Sequence, residues 1–256
     1  MTRPTLPPGD VLLHAGDLSI NGSEVEIQEQ LSWLSTQPHT YKVIIAGNHD
    51  VLFDQAFLDA YPERKYGNPD ASASKLDFGS IIYLCDNSTV LEFPKHGAGR
   101  KLSIYGSPTT PQYGCSAFQV PRSKDVWSGT IPDGTDILLT HGPPLGHLDG
   151  GLRGGCVNLT GEIARTRPRL VAFGHIHVGY GKEELLLDPV RSLYEGIVGG
   201  WGGYLALLKM GLLAFWAGTI GWLFESHDNH VTTFVNAAVV GGTKYEYQNA
   251  PIVVHL

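Results

Sequence analysis

Apolar and polar positions along the chain fall into two alternating rhythms. VLLHAG from Val11 and YKVIIAGN from Tyr41 are short apolar runs that end in glycine-containing loops, and they read as β-strands. Between them Ser23 and Glu26 have capping-box spacing. Val25 or Ile27, with Leu31 and Leu34, then repeats at the helical period. IIYLC, KLSIYG, DILLTHG, RLVAFGH, TTFVNAAVV and APIVVHL read as further strands, and VNLTGEIART as a helix that stops before Pro168. Strand–helix alternation early in the chain, followed by strand-rich segments, predicts an α/β layered fold with mixed sheets.

One stretch breaks the rhythm. From Ile197 to Phe224 the chain reads IVGGWGGYLALLKMGLLAFWAGTIGWLF, with Lys209 as its one charge. Its length suits a membrane span, and Gly199 and Gly203 have the spacing of a small-residue helix contact. The surrounding chain argues against a span. GHIH precedes the stretch and VNAAVV follows it, and both read as parts of one core that a single crossing would divide. A helix pair packed on the domain, or lying in a membrane interface, is expected instead. Asp188 and Pro189 form an N-cap followed by proline at the first helical position. Leu186, Val190, Leu193 and Ile197 continue the apolar face.

Composition adds little beyond bounds. The 256 residues allow one large domain or two small ones, and 42% hydrophobic with 17% charged residues is ordinary for a globular chain. A net charge of −7 argues against binding a nucleic-acid duplex, although a bound metal brings its own positive charge to an anionic substrate. Cys85, Cys115 and Cys156 are odd in number and widely spaced, which reads as free buried thiols in a reducing compartment. No apolar leader with a cleavage site is visible. The expected location is therefore cytoplasmic, with peripheral membrane or partner contact through residues 197–224.

Four short stretches carry candidate chemistry: Gly16-Asp17, Gly47 to Asp50, His141 to Pro144, and Gly174 to His177. Each follows a predicted strand, where an α/β sheet delivers ligands in loops beyond the carboxyl ends of its strands. Carboxylate, amide oxygen and imidazole suit Zn, Mn or Fe, and no thiolate is offered. His175 and His177 stand two apart, so they either face one site or splay toward two adjacent metals. Each motif alone is weak; the four in this order, all at strand ends, are not what independent structural histidines would produce.

This order of motifs resembles the calcineurin-like metallophosphoesterases. IYGSPTTP, AFQVPR, GCVNL and FVNAAVV are further similar to the metallophosphoesterase-domain-containing branch, as distinct from the protein Ser/Thr phosphatases. The likeness covers nearly the whole chain except about residues 182–228. It implies a four-layer α/β sandwich in which residues 1–256 form a single domain with an apolar helical insert at about 182–228. It further implies a dinuclear centre in which Asp17 bridges two metals, Asn48, His141 and His175 complete the second, and His177 binds the first. His49 would either stabilise the transition state or protonate the leaving oxygen. The implied reaction is hydrolysis of a phosphodiester or phosphomonoester, on a small substrate of a class that includes nucleotide-like esters, by hydroxide formed between divalent Mn, Fe or Zn ions.

Two departures shape these expectations. The family pattern opens with Asp-x-His, whereas this chain has no Asp before Asp10 and no His before His14. It reads as N-terminally truncated relative to the family, with four ligands for the second metal and only Asp17 and His177 for the first. The first site is expected to be weak or empty, and the alternative is a catalytically impaired one-metal homologue serving as a binding or membrane-associated module. The third residue after Asp17 is Ile20, and Asp50 rather than Glu follows His49, which separates the chain from protein phosphatases.

The remaining candidates have plainer readings. His14 reads as structural or as a neighbour of the metal ligands, and His147 as a loop histidine within reach of substrate at most. Arg122 and Arg153 read as surface residues able to grip a phosphate. His39, His96, His227, His230 and His255 read as surface, and Tyr180 and Trp201 as packing. Tyr105 to Pro108 reads as a strand-ending turn flanking the site.

Overall fold

The structure is a computed structural model that describes residues 3–65, 68–94, 99–151, 153–200, 202–219, 231–241 and 246–256. In chain order its elements are β1 Val11–His14, α1 Glu24–Ser35, β2 Tyr41–Ile44, α2 Gln55–Ala60, β3 Ile81–Tyr83, β4 Asn87–Phe93, β5 Arg100–Ser107, β6 Thr110–Pro111, β7 Gln119–Val120, β8 Ile137–Thr140, α3 Val157–Thr166, β9 Leu170–Phe173, β10 Gly181–Leu186, α4 Pro189–Gly199, α5 Tyr204–Thr219, β11 Val231–Asn236, β12 Val240–Gly241 and β13 Glu246–Tyr247. Two sheets form the frame. The smaller is parallel, in the order β1-β2-β3, and the larger is mixed, in the order β10-β11-β9-β8-β5-β4. In the larger sheet β5, β8, β9 and β11 run parallel, while β4 and β10 join antiparallel at the two edges.

Period-two alternation sorts the strand residues into layers. Val43 and Ile45 face the core between the sheets, and Ile44 faces the core under α1 and α2. Ile137, Leu139, Leu170, Ala172 and Val235 face the same inter-sheet core, whereas Leu138, Val171, Phe173 and Phe234 face α3. Strands buried on both faces need apolar residues at every position, which is why β2, β8 and β9 read as continuous apolar runs. The result is a four-layer α/β sandwich of mixed sheets, as expected.

The helices follow their local signals. Ser23 Oγ accepts from the Glu26 amide, and the Glu26 carboxylate accepts in turn from the Ser23 amide. Ile27, Leu31 and Leu34 are fully buried while Val25 is exposed, which resolves the helical stripe in favour of Ile27. Burial of such a side chain is worth about 1.5–3 kcal/mol. At α3 the chain stops with Arg167 in the left-handed region before Pro168, and Asp188 caps α4 by accepting from the Arg191 amide.

Four expectations need correction. APIVVHL forms no ladder; its alternate residues Ile252, Val254 and Leu256 pack on the inter-sheet core without a paired neighbour strand. Residues 182–186, expected in the helical insert, form β10 instead, so Leu186 lies on a strand and not on the α4 face. The antiparallel partner β11 offers the ladder that local sequence does not announce. β4 was also not foreseen, because an edge strand tolerates the polar residues of its exposed face. Finally, His39 is buried rather than on the surface, with its Nε2 3.1 Å from the Pro7 carbonyl, while Cys115 is an exposed free thiol and Cys85 and Cys156 are half-buried. His96, Trp201, His227 and His230 lie outside the described residues. Among the described residues no helix is long and apolar enough to cross a membrane.

Candidate metal centre

Parallel strands deliver the candidate ligands to one end of the two sheets. Asp17 follows β1, Asn48 follows β2, His141 follows β8 and His175 follows β9. Both loops of the small sheet depend on glycine. A Cβ on Gly47 would lie 2.2 Å from Asp17 Oδ1 and 2.6 Å from His141 Cε1. A Cβ on Gly16 would lie 2.5 Å from the Ala46 carbonyl oxygen, and φ there is +92°. The chain then holds Asp17 and His175 themselves at φ 56° and 62°, a left-handed conformation that costs non-glycine residues energy and commonly marks functional loops.

Asp50 locks the two loops together. Its fully buried carboxylate accepts from the amides of Gly47, Leu18 and Ser19 at 2.8, 3.0 and 2.9 Å, and from Ser19 Oγ at 2.7 Å. Burial and the neighbouring Asp17 charge push its pKa up to about 6, against the pull of those donors. A second lock lies under the large sheet. Buried Asn236 donates through Nδ2 to the carbonyls of Leu148 and Ile176, tying the loop after β8 to the loop after β9. Neither role was visible in the sequence. The signals that stood there were an acid closing the Gly47–Asp50 stretch and an amide closing a buried strand.

At the centre three ligand atoms from Asp17, His141 and His175 lie within 4.8 Å of one another. His141 Nδ1 is 2.7 Å from the Ala15 carbonyl, which has no proton to give, so Nδ1 carries the hydrogen and Nε2 faces inward. Nε2 lies 3.0 Å from Asn48 Oδ1 and 3.4 Å from Asp17 Oδ1. The Asn48 orientation is fixed by its Nδ2, which donates to Ser116 Oγ at 3.2 Å. Two oxygens and a ring nitrogen lone pair thus face one another, an arrangement that repels unless a cation sits among them. A proton satisfies it in part. Burial opposes the charged form of His141, yet the Asp17 carboxylate raises its pKa above the ordinary value. Burial opposes ionisation of Asp17 as well, and His141 nonetheless holds its carboxyl well below the usual range.

The other predicted residues take different places. Burial and the neighbouring His141 lower the His175 pKa to about 4, leaving a neutral imidazole, and its ring centroid is 4.9 Å from that of His141. Half-buried His177 opens a short 3-10 turn outside the tight trio, with its pKa lowered by burial. His49 is exposed; its amide donates to Asp17 Oδ1 at 3.0 Å and its Nδ1 lies 2.8 Å from the Ile20 carbonyl, which leaves Nε2 unprotonated in the neutral ring. His14 is neutral, its pKa lowered to about 4 by burial, and its buried Nδ1 has no hydrogen-bond partner. Arg122 donates to the carbonyls of Gly154 and Gly155, and Arg153 to that of Val198. Tyr105 to Ser107 belong to β5 itself rather than to a turn, and Tyr180 ties its hydroxyl to the Ala250 carbonyl.

His147 departs furthest from its plain reading. It is buried, stacked on Phe234 with centroids 4.6 Å apart, with Nδ1 3.0 Å from Glu183 and Nε2 3.5 Å from Glu195. Burial alone would lower its pKa, but the two glutamates raise it to about 8.

Residues 3–179 match the family model described as Calcineurin-like phosphoesterase. The chain belongs to that family. Calcineurin-like phosphoesterases are metal-dependent, in accord with the donors gathered here. Relatives of this calcineurin-like chain include the human Metallophosphoesterase domain-containing protein 1, 40% identical over 69% of this chain and 56% of that protein. A Caenorhabditis elegans protein, UPF0046 protein T07D4.2, is 37% identical over 69% of this chain and 48% of its own length. An Emericella nidulans protein named Probable rhamnogalacturonate lyase C is 41% identical over 95% of this chain but only 22% of its own length. The chain thus spans well under two thirds of each of these three relatives.

Proposed function

We propose that the chain is a phosphoesterase whose metal centre is built on Asp17, Asn48, His141 and His175, with His177 as the lone further donor of a second position. The observation that carries this reading is the facing of Asp17 Oδ1, Asn48 Oδ1 and His141 Nε2 at 3.0–3.4 Å. The donor types fit a divalent ion of the Mn, Fe or Zn kind. Bound by these residues, a divalent ion would supply a Lewis acid that acidifies water and polarises phosphoryl oxygens. Asp50 and the two glycines hold the ligand loops in register, which is what keeps the donors aligned without substrate. The neutral Asn48 amide limits the negative charge around the cation, so an anionic ester still approaches. His49, with Nδ1 fixed by a carbonyl, offers Nε2 as the atom that moves a proton or steadies charge beside the reacting group.

The lyase name belongs to a much longer relative and nothing in this donor set requires elimination chemistry. The substrate assigned here is a small phosphodiester or phosphomonoester, and the chain is read as a single domain with an apolar insert at about 182–228 that includes α4 and α5. A second reading is favoured by the position of His177 outside the trio: a one-metal homologue that binds and does not hydrolyse. Both are tested by hydrolysis of bis-p-nitrophenyl phosphate with added manganese, alongside metal content. Wild type that turns over far faster than the Asn48→Ala, His175→Ala double variant supports the enzyme. One metal per chain with equal, background rates supports the binding module.

A further inference from the structure

The strongest unexplained feature outside the metal centre is α5. Its sequence YLALLKMGLLAFWAGT has Lys209 as its single charged residue. Among the described side chains of α5, Ala206, Met210 and Leu213 are half-buried, at the i, i+4, i+7 spacing of one narrow stripe, and α4 is its principal neighbour. Leu205 is 82% exposed, Leu212 and Phe215 70%, and Leu208 64%. At about 100° per residue, Tyr204, Leu205, Leu207, Leu208, Leu212, Phe215 and Trp216 together sweep roughly half the circumference of the helix. Tyr194 and Val198 on α4 extend the same apolar exposure.

The form of this surface decides what covers it. A partner protein, or a second copy of the chain, packs one stripe of a helix and surrounds it with a polar rim of hydrogen bonds. Here the exposed surface is a convex ridge. It offers little rim chemistry: one ammonium, the Tyr204 hydroxyl, the Trp216 indole N–H, and the Thr219 hydroxyl, which bonds back to the Phe215 carbonyl of its own helix. A second α5 laid alongside would cover one stripe and leave the rest of the ridge in water. A fluid apolar medium covers all of it. The 16 described residues of the helix span about 24 Å, against about 30 Å for a bilayer core, which suits a helix lying in one leaflet. Tyr204 and Trp216 have the amphipathic rings that settle at the headgroup level, and the Lys209 stem reaches toward the phosphates.

We propose that α5 is a membrane-interface anchor that buries its apolar ridge in the outer part of a zwitterionic bilayer, with α4 between the lipid and the catalytic sandwich. Charge sharpens this. The chain is acidic overall and α5 has no basic cluster, so apolar burial drives docking and attraction to anionic lipid does not. α4 also fixes how the domain hangs from the anchor, because Glu195 meets His147 and the Val198 carbonyl accepts from Arg153 in the loops beyond β8.

The test is co-sedimentation of the full chain with phosphatidylcholine vesicles, against a variant carrying Leu205→Gln, Leu208→Gln, Leu212→Gln and Phe215→Gln. Wild type is expected to pellet, with a partition coefficient at least about tenfold above the variant and unchanged by high salt. Wild type that stays in the supernatant, a variant that pellets equally, or binding that demands anionic lipid and vanishes in salt overturns the proposal. So does a wild-type dimer in light scattering that ignores vesicles. Hydrogen exchange on the wild type gives an independent readout should the variant fold poorly. Amides 204–219 slow on adding vesicles if the anchor docks, and unchanged exchange refutes it.

Discussion

The metal centre and the α4–α5 arm invert the usual partition of side chains in opposite directions. The centre buries charge: Asp50, Asn48 and His141 are almost wholly removed from water. The arm exposes grease: Leu205, Leu208, Leu212 and Phe215 stand in solvent. Buried polar groups are tolerated where each oxygen meets a donor, as at Asp50, and they demand a cation where acceptors face each other, as at Asp17, Asn48 and His141. Exposed apolar residues are tolerated singly and call for a partner phase when contiguous. Each region is therefore incomplete in the way its own chemistry dictates. The centre gathers acceptors suited to a positive charge, and the arm presents side chains suited to an apolar surround.

This contrast yields a ranked set of outcomes. The largest belongs to the centre: Asp17→Ala should cut phosphodiester hydrolysis by on the order of a thousandfold or more while the fold, read by circular dichroism, persists. Next comes the lock. Asp50→Ala strands four donors and should cost about 3 kcal/mol or more of stability in urea unfolding, with metal affinity falling alongside. A smaller effect sits at the joint between the regions. The folded pKa of His147 is raised to about 8 from 6.5, so its stabilisation is full below pH 6.5 and is lost as pH rises through 8. The change amounts to at most about 2 kcal/mol, and His147→Gln should flatten that slope in pH-dependent thermal melts. The smallest effect belongs to the arm. Leu205→Gln with Leu208→Gln should shift stability in water by no more than about 0.5 kcal/mol, since those side chains are already exposed. A loss of several kcal/mol there would mean the ridge is packed in solution and would break the contrast.

Much of this was legible in the sequence, and the reason is local. Strands buried on both faces are continuous apolar runs, so β1, β2, β5, β8, β9 and β11 announce themselves, as does α1 through its Ser23–Glu26 box. Candidate ligands at the carboxyl ends of parallel strands stand next to those runs, which is why Asp17, Asn48, His141 and His175 could be picked out as candidates from the sequence. What stayed hidden depends on partners distant in the chain. β10 exists because β11 pairs with it across the arm. The tail from Pro251 has strand-like alternation and yet no ladder. Asp50, Asn236 and His147 take their meaning from loops and strands about 30 to nearly 90 residues away. His147 in particular is an ordinary loop residue until Glu183 and Glu195 are folded against it.

The central claim, that the facing acceptors of Asp17, Asn48 and His141 form a cation site, is tested most directly by titrating the chelator-treated chain with manganese or zinc in a calorimeter. Saturable binding of at least one ion per chain, lost in Asn48→Ala and in His175→Ala while Leu208→Gln leaves it intact, is the result predicted. Absence of saturable binding, or binding that survives both ligand substitutions unchanged, would contradict it.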